Sequence, residues 1–170
     1  MFGGPNANGW VQLGLLALAL VTGAAIGLER ELRRKDAGMR THALISVGAA
    51  LFVLVSKFGF HDVLGPQVTL DPSRVAAQIV TGVGFIGAGL IFIRRDDVHG
   101  LTTAASVWVS AAIGAACGAQ LVGPALITVA LYGVTNVPIR FLEKRLKHPD
   151  EGVALKNGNS EAKTSGTKEP

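Results

Sequence analysis

The sequence predicts an all-α, polytopic membrane protein, a bundle of five transmembrane helices followed by a short polar tail. Three observations carry that expectation. Hydrophobic residues fill 49% of the 170 positions and charged residues only 16%, well under the roughly 25% of ordinary soluble domains. The charges avoid long windows: none falls from Met1 to Leu28, Thr41 to Ser56, Val75 to Ile93 or Leu101 to Ile139. The basic residues also gather in alternate connections, the pattern of loops held in the cytoplasm. So few charges cannot cover a water-facing surface, which argues against a soluble enzyme, a disordered chain or a disulfide scaffold. Cys117 is the single cysteine, so neither an internal disulfide nor a CxxC pair is available.

A membrane-spanning helix needs about 20 mostly apolar residues, and the elements follow in order. Residues 1–9 read as an external segment; they lack the basic start of a cleaved signal peptide. Trp10 to Leu28 makes the first span. Glu29 with Arg33 and Glu31 with Lys35 then stand at i,i+4, acid first, which favours a helix running on beyond the membrane. Thr41 to Phe60 makes the second span if Lys57 snorkels to the interface. Asp71-Pro72-Ser73 reads as an N-cap with proline at the first helical position, opening a third span from Pro72 to Ile93. The uncharged stretch after Leu101 is about two spans long, and Gly123-Pro124 divides it into Thr102 to Ala119 and Pro124 to Arg140. Thr41 is expected to cap the second span, and Thr102 or Thr103 the fourth. Pro138 should mark the exit of the fifth, followed by an interfacial helix over Phe141 to Leu146. The transmembrane domain therefore covers residues 10–147. Residues 148–170, rich in Gly, Ser, Asn, Lys and Glu, read as a disordered cytoplasmic tail.

Charge sets the orientation. Arg30, Arg33, Arg34, Lys35 and Arg40 lie in the first connection, Arg94 and Arg95 in the third, and Arg140, Lys144, Arg145 and Lys147 after the fifth span. The second connection has only Lys57 and Arg74 at its ends, and the fourth has none. The N-terminus is expected outside and the C-terminus in the cytoplasm. Topology accounts for the net charge of +4, so no nucleic-acid partner is expected.

Glycines recur at helical spacing inside the spans. Gly23 and Gly27 form GxxxG on the first, Gly82, Gly84 and Gly87 with Ala88 and Gly89 lie on the third, and Ser110, Gly114 and Gly118 repeat on the fourth. Small residues let backbones approach closely in lipid, so these positions are expected to pack helices together or against a partner, including a second copy of the chain. Gly82-Val-Gly84-Phe-Ile-Gly87 also matches the dinucleotide fingerprint. That motif works only between a strand and a helix start, whereas this one lies within an apolar span.

Catalytic constellations are absent from the pattern. His42, His61, His99 and His148 fall in separate connections or ends, with no i,i+4 pair for zinc. Glu29, Asp62, Asp71, Asp96 and Asp97 are scattered acids, and no span holds an ionisable group at its centre, where ion-coupled pumps carry one. No enzyme, cofactor or metal site is expected. What remains is a polar belt at the cytoplasmic side, made of Glu29, Arg30, Arg40, Thr41, His42, Arg94, Thr102 and Thr103. Two helix N-termini beside arginines suit an anionic group; headgroup anchoring and mutual pairing of Glu and Arg are the alternative. Antiparallel packing is expected to bring Glu29, Arg40 and Arg94 to one depth.

The segments Gly27-Leu-Glu-Arg-Glu31, Ala37-Gly-Met-Arg-Thr-His42, Arg74-Val-Ala-Ala-Gln78, Gly82 to Gly89 and Gly100-Leu-Thr-Thr-Ala-Ala105 with Trp108 resemble the MgtC/SapB family of bacterial inner-membrane proteins, in order, from about Trp10 to Arg145. The resemblance implies a five-span protein of the cytoplasmic membrane without enzymatic activity. It also implies a regulatory or interaction role in adaptation to low magnesium and in virulence, exerted through a membrane partner such as the proton-translocating ATP synthase. A transporter or channel for Mg²⁺ or another small ion is the alternative. Some members have Asn where this chain has Thr102 and Cys where it has Val109. Many carry a folded cytoplasmic domain after the spans, so the chain resembles the membrane module alone.

Overall fold

The computed structural model describes residues 8–60, 70–94 and 97–136. The external segment to Ala7, the exit at Pro138, the interfacial helix over 141–146 and the tail over 148–170 lie outside the described residues, as do His61, Asp62, Arg95, Asp96 and His148. The chain divides into a unit ending at Leu131 and another beginning at Tyr132; the packing below is that of the first.

Five helices and one hairpin make up the described chain: α1 (Gly9–Leu32), α2 (Met39–Phe58), α3 (Pro72–Leu90), β1 (Phe92–Arg94), β2 (Asp97–His99), α4 (Leu101–Gly118) and α5 (Val122–Asn136). The first four helices are long and apolar enough to cross a membrane, and α5 is apolar but shorter, at 15 residues. With 24 residues α1 is about 36 Å long, more than the roughly 30 Å hydrocarbon core, so its last turn runs past the apolar layer. The expected Glu29–Arg33 pair forms there. Glu31 behaves differently from its expected pairing with Lys35: its Oε2 accepts the Met39 N–H at 3.0 Å and closes the start of α2 across the turn.

The helix starts correct two cap expectations. Gly38 and Gly100 occupy the N-cap positions of α2 and α4, and neither has a side chain to cap with. Thr41 and Thr102 lie one or two residues inside and are exposed, while Thr103 turns into the core. At α3 the expected cap is present. Asp71 Oδ1 accepts from the Ser73 N–H at 3.1 Å and from the Ser73 hydroxyl at 2.5 Å, ahead of Pro72 at the first position. Those two bonds hold the Asp71 carboxyl below the usual carboxylate range.

The third span ends sooner than hydropathy suggests. α3 stops at Leu90, and Phe92, Ile93 and Arg94 pair antiparallel with His99, Val98 and Asp97. The Phe92 ring stacks on His99 with centroids 5.5 Å apart. Ile91, Phe92, Ile93 and Val98 are β-branched or aromatic, types that favour strands, and an apolar run alone does not separate strand from helix. Arg94 therefore lies on β1 and does not close a span. Gly100, at φ +85°, turns the chain into α4 with Leu90 O packed where a Cβ would stand. Only glycine suits that position.

Packing is tightest among α1, α2 and α4, with α3 against α4 and α2. Leu15, Ala19 and Ile26 of α1, Ala49, Ala50, Val53 and Leu54 of α2, and Val107, Ala111, Ile113 and Cys117 of α4 are buried. The close approaches have glycine at them. A methyl group at Gly23 would stand 2.6 Å from His42 O, and one at Gly27 would meet the backbone of Met39 and Gly38. One at Gly114 would collide with the Ser46 carbonyl, and one at Gly118 with Ala50 O. On α3 the approach is looser: Gly82 and Gly84 have no described neighbour within 4 Å of a Cβ, and Gly87 meets Ala104 Cβ at an ordinary 3.7 Å. α3 turns Val83 and Gly87 inward and leaves Gly82 and Gly84 exposed, so of these glycines only Gly87 faces another helix within the described residues. At the far end of the bundle Lys57 Nζ donates to Ala119 O at 3.4 Å and lies over the Phe58 ring.

Candidate functional site

Polar side chains enter the core at the end where α1 stops and α2 and α4 begin. α2 contributes His42 and Ser46, four residues apart and so on one face. α4 contributes Thr103, Ser106 and Ser110 at spacings of three and four, and α1 contributes Arg30 from its last turn. All six are buried, none more than 3% exposed.

The contacts bring three helices together. Arg30 Nη2 donates to Thr103 Oγ1 at 2.9 Å, joining α1 to α4. His42 joins α2 to α4: Nδ1 faces Gly38 O at 2.9 Å and Nε2 faces Ser106 Oγ at 3.2 Å. A carbonyl only accepts, so Nδ1 carries a hydrogen. The Ser106 hydroxyl has one hydrogen and two acceptors in reach, Thr103 O at 2.8 Å and the neutral imidazole's Nε2. One of the two acceptors therefore goes without that hydrogen while His42 is neutral. One turn deeper, Ser46 Oγ and Ser110 Oγ are fully buried and have no hydrogen-bond partner among the described residues. Both helices start at this end, so His42 beside Ser106 and Ser46 beside Ser110 are successive rungs. Gly114, packed on the Ser46 carbonyl, follows as the first apolar one.

The polar belt expected from sequence is thus divided. Arg30, His42 and Thr103 meet in the core. Arg40, Thr41 and Thr102 are exposed, and among the described residues Arg40 makes no ion pair. Glu29 is half-buried and bonded to Arg33. Arg94 is on the hairpin. α2 turns His42 inward and so carries Arg40 to the surface. Ser46 and Ser106 were missed as site residues and Ser110 was read as packing alone. Their signal was present as hydroxyls at i,i+4 from His42 and i,i+3 from Thr103 in otherwise apolar spans. No group of three or more His, Cys, Asp or Glu able to hold a metal occurs among the described residues.

Comparison with known proteins adds a family. The MgtC family model matches residues 16–145. The "Putative magnesium transporter YhiD" of Escherichia coli strain K12 is 55% identical over 119 residues, 69% of this chain and 53% of its own length. "Protein MgtC" of Brucella abortus strain 2308 is 44% identical over 132 residues, 78% of this chain and 52% of its own. An uncharacterized protein of Synechocystis, slr0014, is 41% identical over 133 residues, 78% of this chain and 54% of its own. The chain spans about half the length of these curated relatives. No solved structure gives a significant match.

Proposed function

The chain belongs to the MgtC family, and from that premise we propose that it is a membrane protein of magnesium homeostasis that works as a regulatory or interaction component on a membrane partner. One observation carries the choice of regulation over conduction: among the described residues, the charged side chain buried among α1, α2 and α4 is that of Arg30. Proteins bind Mg²⁺ through carboxylates and retained water, and a guanidinium at the mouth of the polar seam supplies no such ligand. Below that mouth, Gly114 and Gly118 bring α2 and α4 into backbone contact, which favours tight packing over a water-filled path. The E. coli relative's name supports the second reading, a Mg²⁺ transporter.

In this reading the basic end of the bundle faces the cytoplasm of a bacterial inner membrane, since the arginine clusters accompany it. Cysteines introduced at Gly3 and Lys163 are then expected to label from opposite sides, and labelling of both from one side overturns the orientation. The functional test is reconstitution of the purified chain, alone, in liposomes holding a Mg²⁺ indicator. Uptake is expected to equal that of protein-free vesicles, while photocrosslinking in native membranes captures a membrane protein. Saturable Mg²⁺ uptake by the chain alone would establish the transporter instead.

A further inference from the structure

Arg30 makes no ion pair among the described residues. A guanidinium does not lose its proton at any ordinary pH, and burying a charge is costly unless it is paired. Arg30 is 2% exposed, its Nη2 is bonded to a neutral hydroxyl, and its Nε has no hydrogen-bond partner among the described residues. Of the neighbouring acids, Glu29 pairs with Arg33, and Glu31 Oε2 accepts from Met39 N.

A second set of donors stands beside it. α4 has no side-chain cap, and its first backbone bond runs from Ala104 N to Gly100 O at 2.8 Å. The N–H groups of Leu101, Thr102 and Thr103 therefore lack an acceptor among the described residues, as first-turn N–H groups do until something caps them. Thr103, the residue that holds Arg30, belongs to that turn. Leu101 and Thr102 are exposed, so the turn is reachable from the basic end.

We propose that Arg30 and the first turn of α4 together bind one phosphoryl oxyanion, from free phosphate or from a lipid headgroup. The positive end of the helix dipole and a guanidinium with an open Nε–H both favour negative charge. A phosphoryl group has oxygens enough to accept from the guanidinium and from several backbone N–H groups at once. The proposal rests on these donors and not on the regulatory reading.

The test uses the full chain in nanodiscs of a phosphate-free galactolipid, with the thermal midpoint as readout. Inorganic phosphate is titrated against chloride at matched ionic strength in one arm, and phosphatidylglycerol replaces part of the galactolipid in the other. At least one arm is expected to raise the midpoint of the parent by several degrees, since a ligand of the folded state stabilises it by mass action. A response to phosphate alone assigns a soluble ligand, and a response to the lipid alone assigns a headgroup. Arg30→Gln should lose the shift, Thr103→Val should need several-fold more phosphate or lipid for the same shift, and Lys35→Gln, an exposed change of equal charge, should keep it. If Arg30→Gln does not fold, Thr103→Val and the parent still decide. No shift in either arm, or an equal shift in Arg30→Gln and the parent, overturns the site.

Discussion

Gly114→Ala is expected to lower the thermal midpoint of the purified protein in detergent more than an alanine at any glycine of α3. The added methyl would land on the Ser46 carbonyl oxygen, carbon and Cα. Those atoms are the backbone of α2 and cannot swing aside as a side chain does. α2 and α4 must separate, or α4 must rotate and pull Ser110 and Ser106 away from the rungs they share with α2. Overpacking of a tight core typically costs about 1–3 kcal/mol; a clash with helix backbone should reach the upper end, about 3 kcal/mol. Gly84→Ala provides the contrast, since nothing described lies within 4 Å of its Cβ position, and Gly87→Ala should also be tolerated at its ordinary contact with Ala104. Equal effects at Gly114 and Gly84 would show that lipid-phase helix propensity, and not close approach, governs both.

That contrast also marks how far the sequence reached. Small-residue spacing names helices that can approach closely, but it does not say which way a face turns. Gly23, Gly27, Gly114 and Gly118 lie at close backbone contacts. Gly82 and Gly84 share the same pattern on an outward face. Helix identity was readable because charge-free windows and Asp71-Pro72 mark it directly. The hairpin over Phe92–His99 was not, since Leu90-Ile91-Phe92-Ile93 continues the hydropathy of α3 without a break. The polar belt was read by depth along the chain's spans, and Arg30, His42 and Thr103 are the members that turn into the core. Depth alone carries no information about rotation, so Arg40 and Thr102, at similar depth, entered the expectation and proved exposed. The serines were overlooked for a related reason. A hydroxyl within a span is unremarkable by composition, and becomes informative only when Ser46 is set one turn from His42 and Ser110 one turn from Ser106.

His42→Ala should be the most damaging single change in the polar core. The imidazole is fully buried and connects the turn at Gly38 to α4 through Ser106. Its removal empties a ring-sized volume and takes away both contacts. Truncating a large buried side chain to alanine costs about 2–5 kcal/mol, and each lost hydrogen bond about 1 kcal/mol, so a loss of at least about 4 kcal/mol is expected in a reversible unfolding titration. Ser106→Ala should cost less, about 1 kcal/mol, because a methyl side chain nearly fills its site and Thr103 O accepts nothing else that His42 needs. The informative measurement is the double variant. If His42 and Ser106 act as one hydrogen-bonded unit, His42→Ala with Ser106→Ala loses less than the sum of the single changes, by about 1 kcal/mol. Thr41→Ala, next in sequence but exposed, should change nothing measurable. Strict additivity of the His42 and Ser106 losses would mean that the imidazole serves as filler between α2 and α4, and that the 3.2 Å contact contributes no coupling between them.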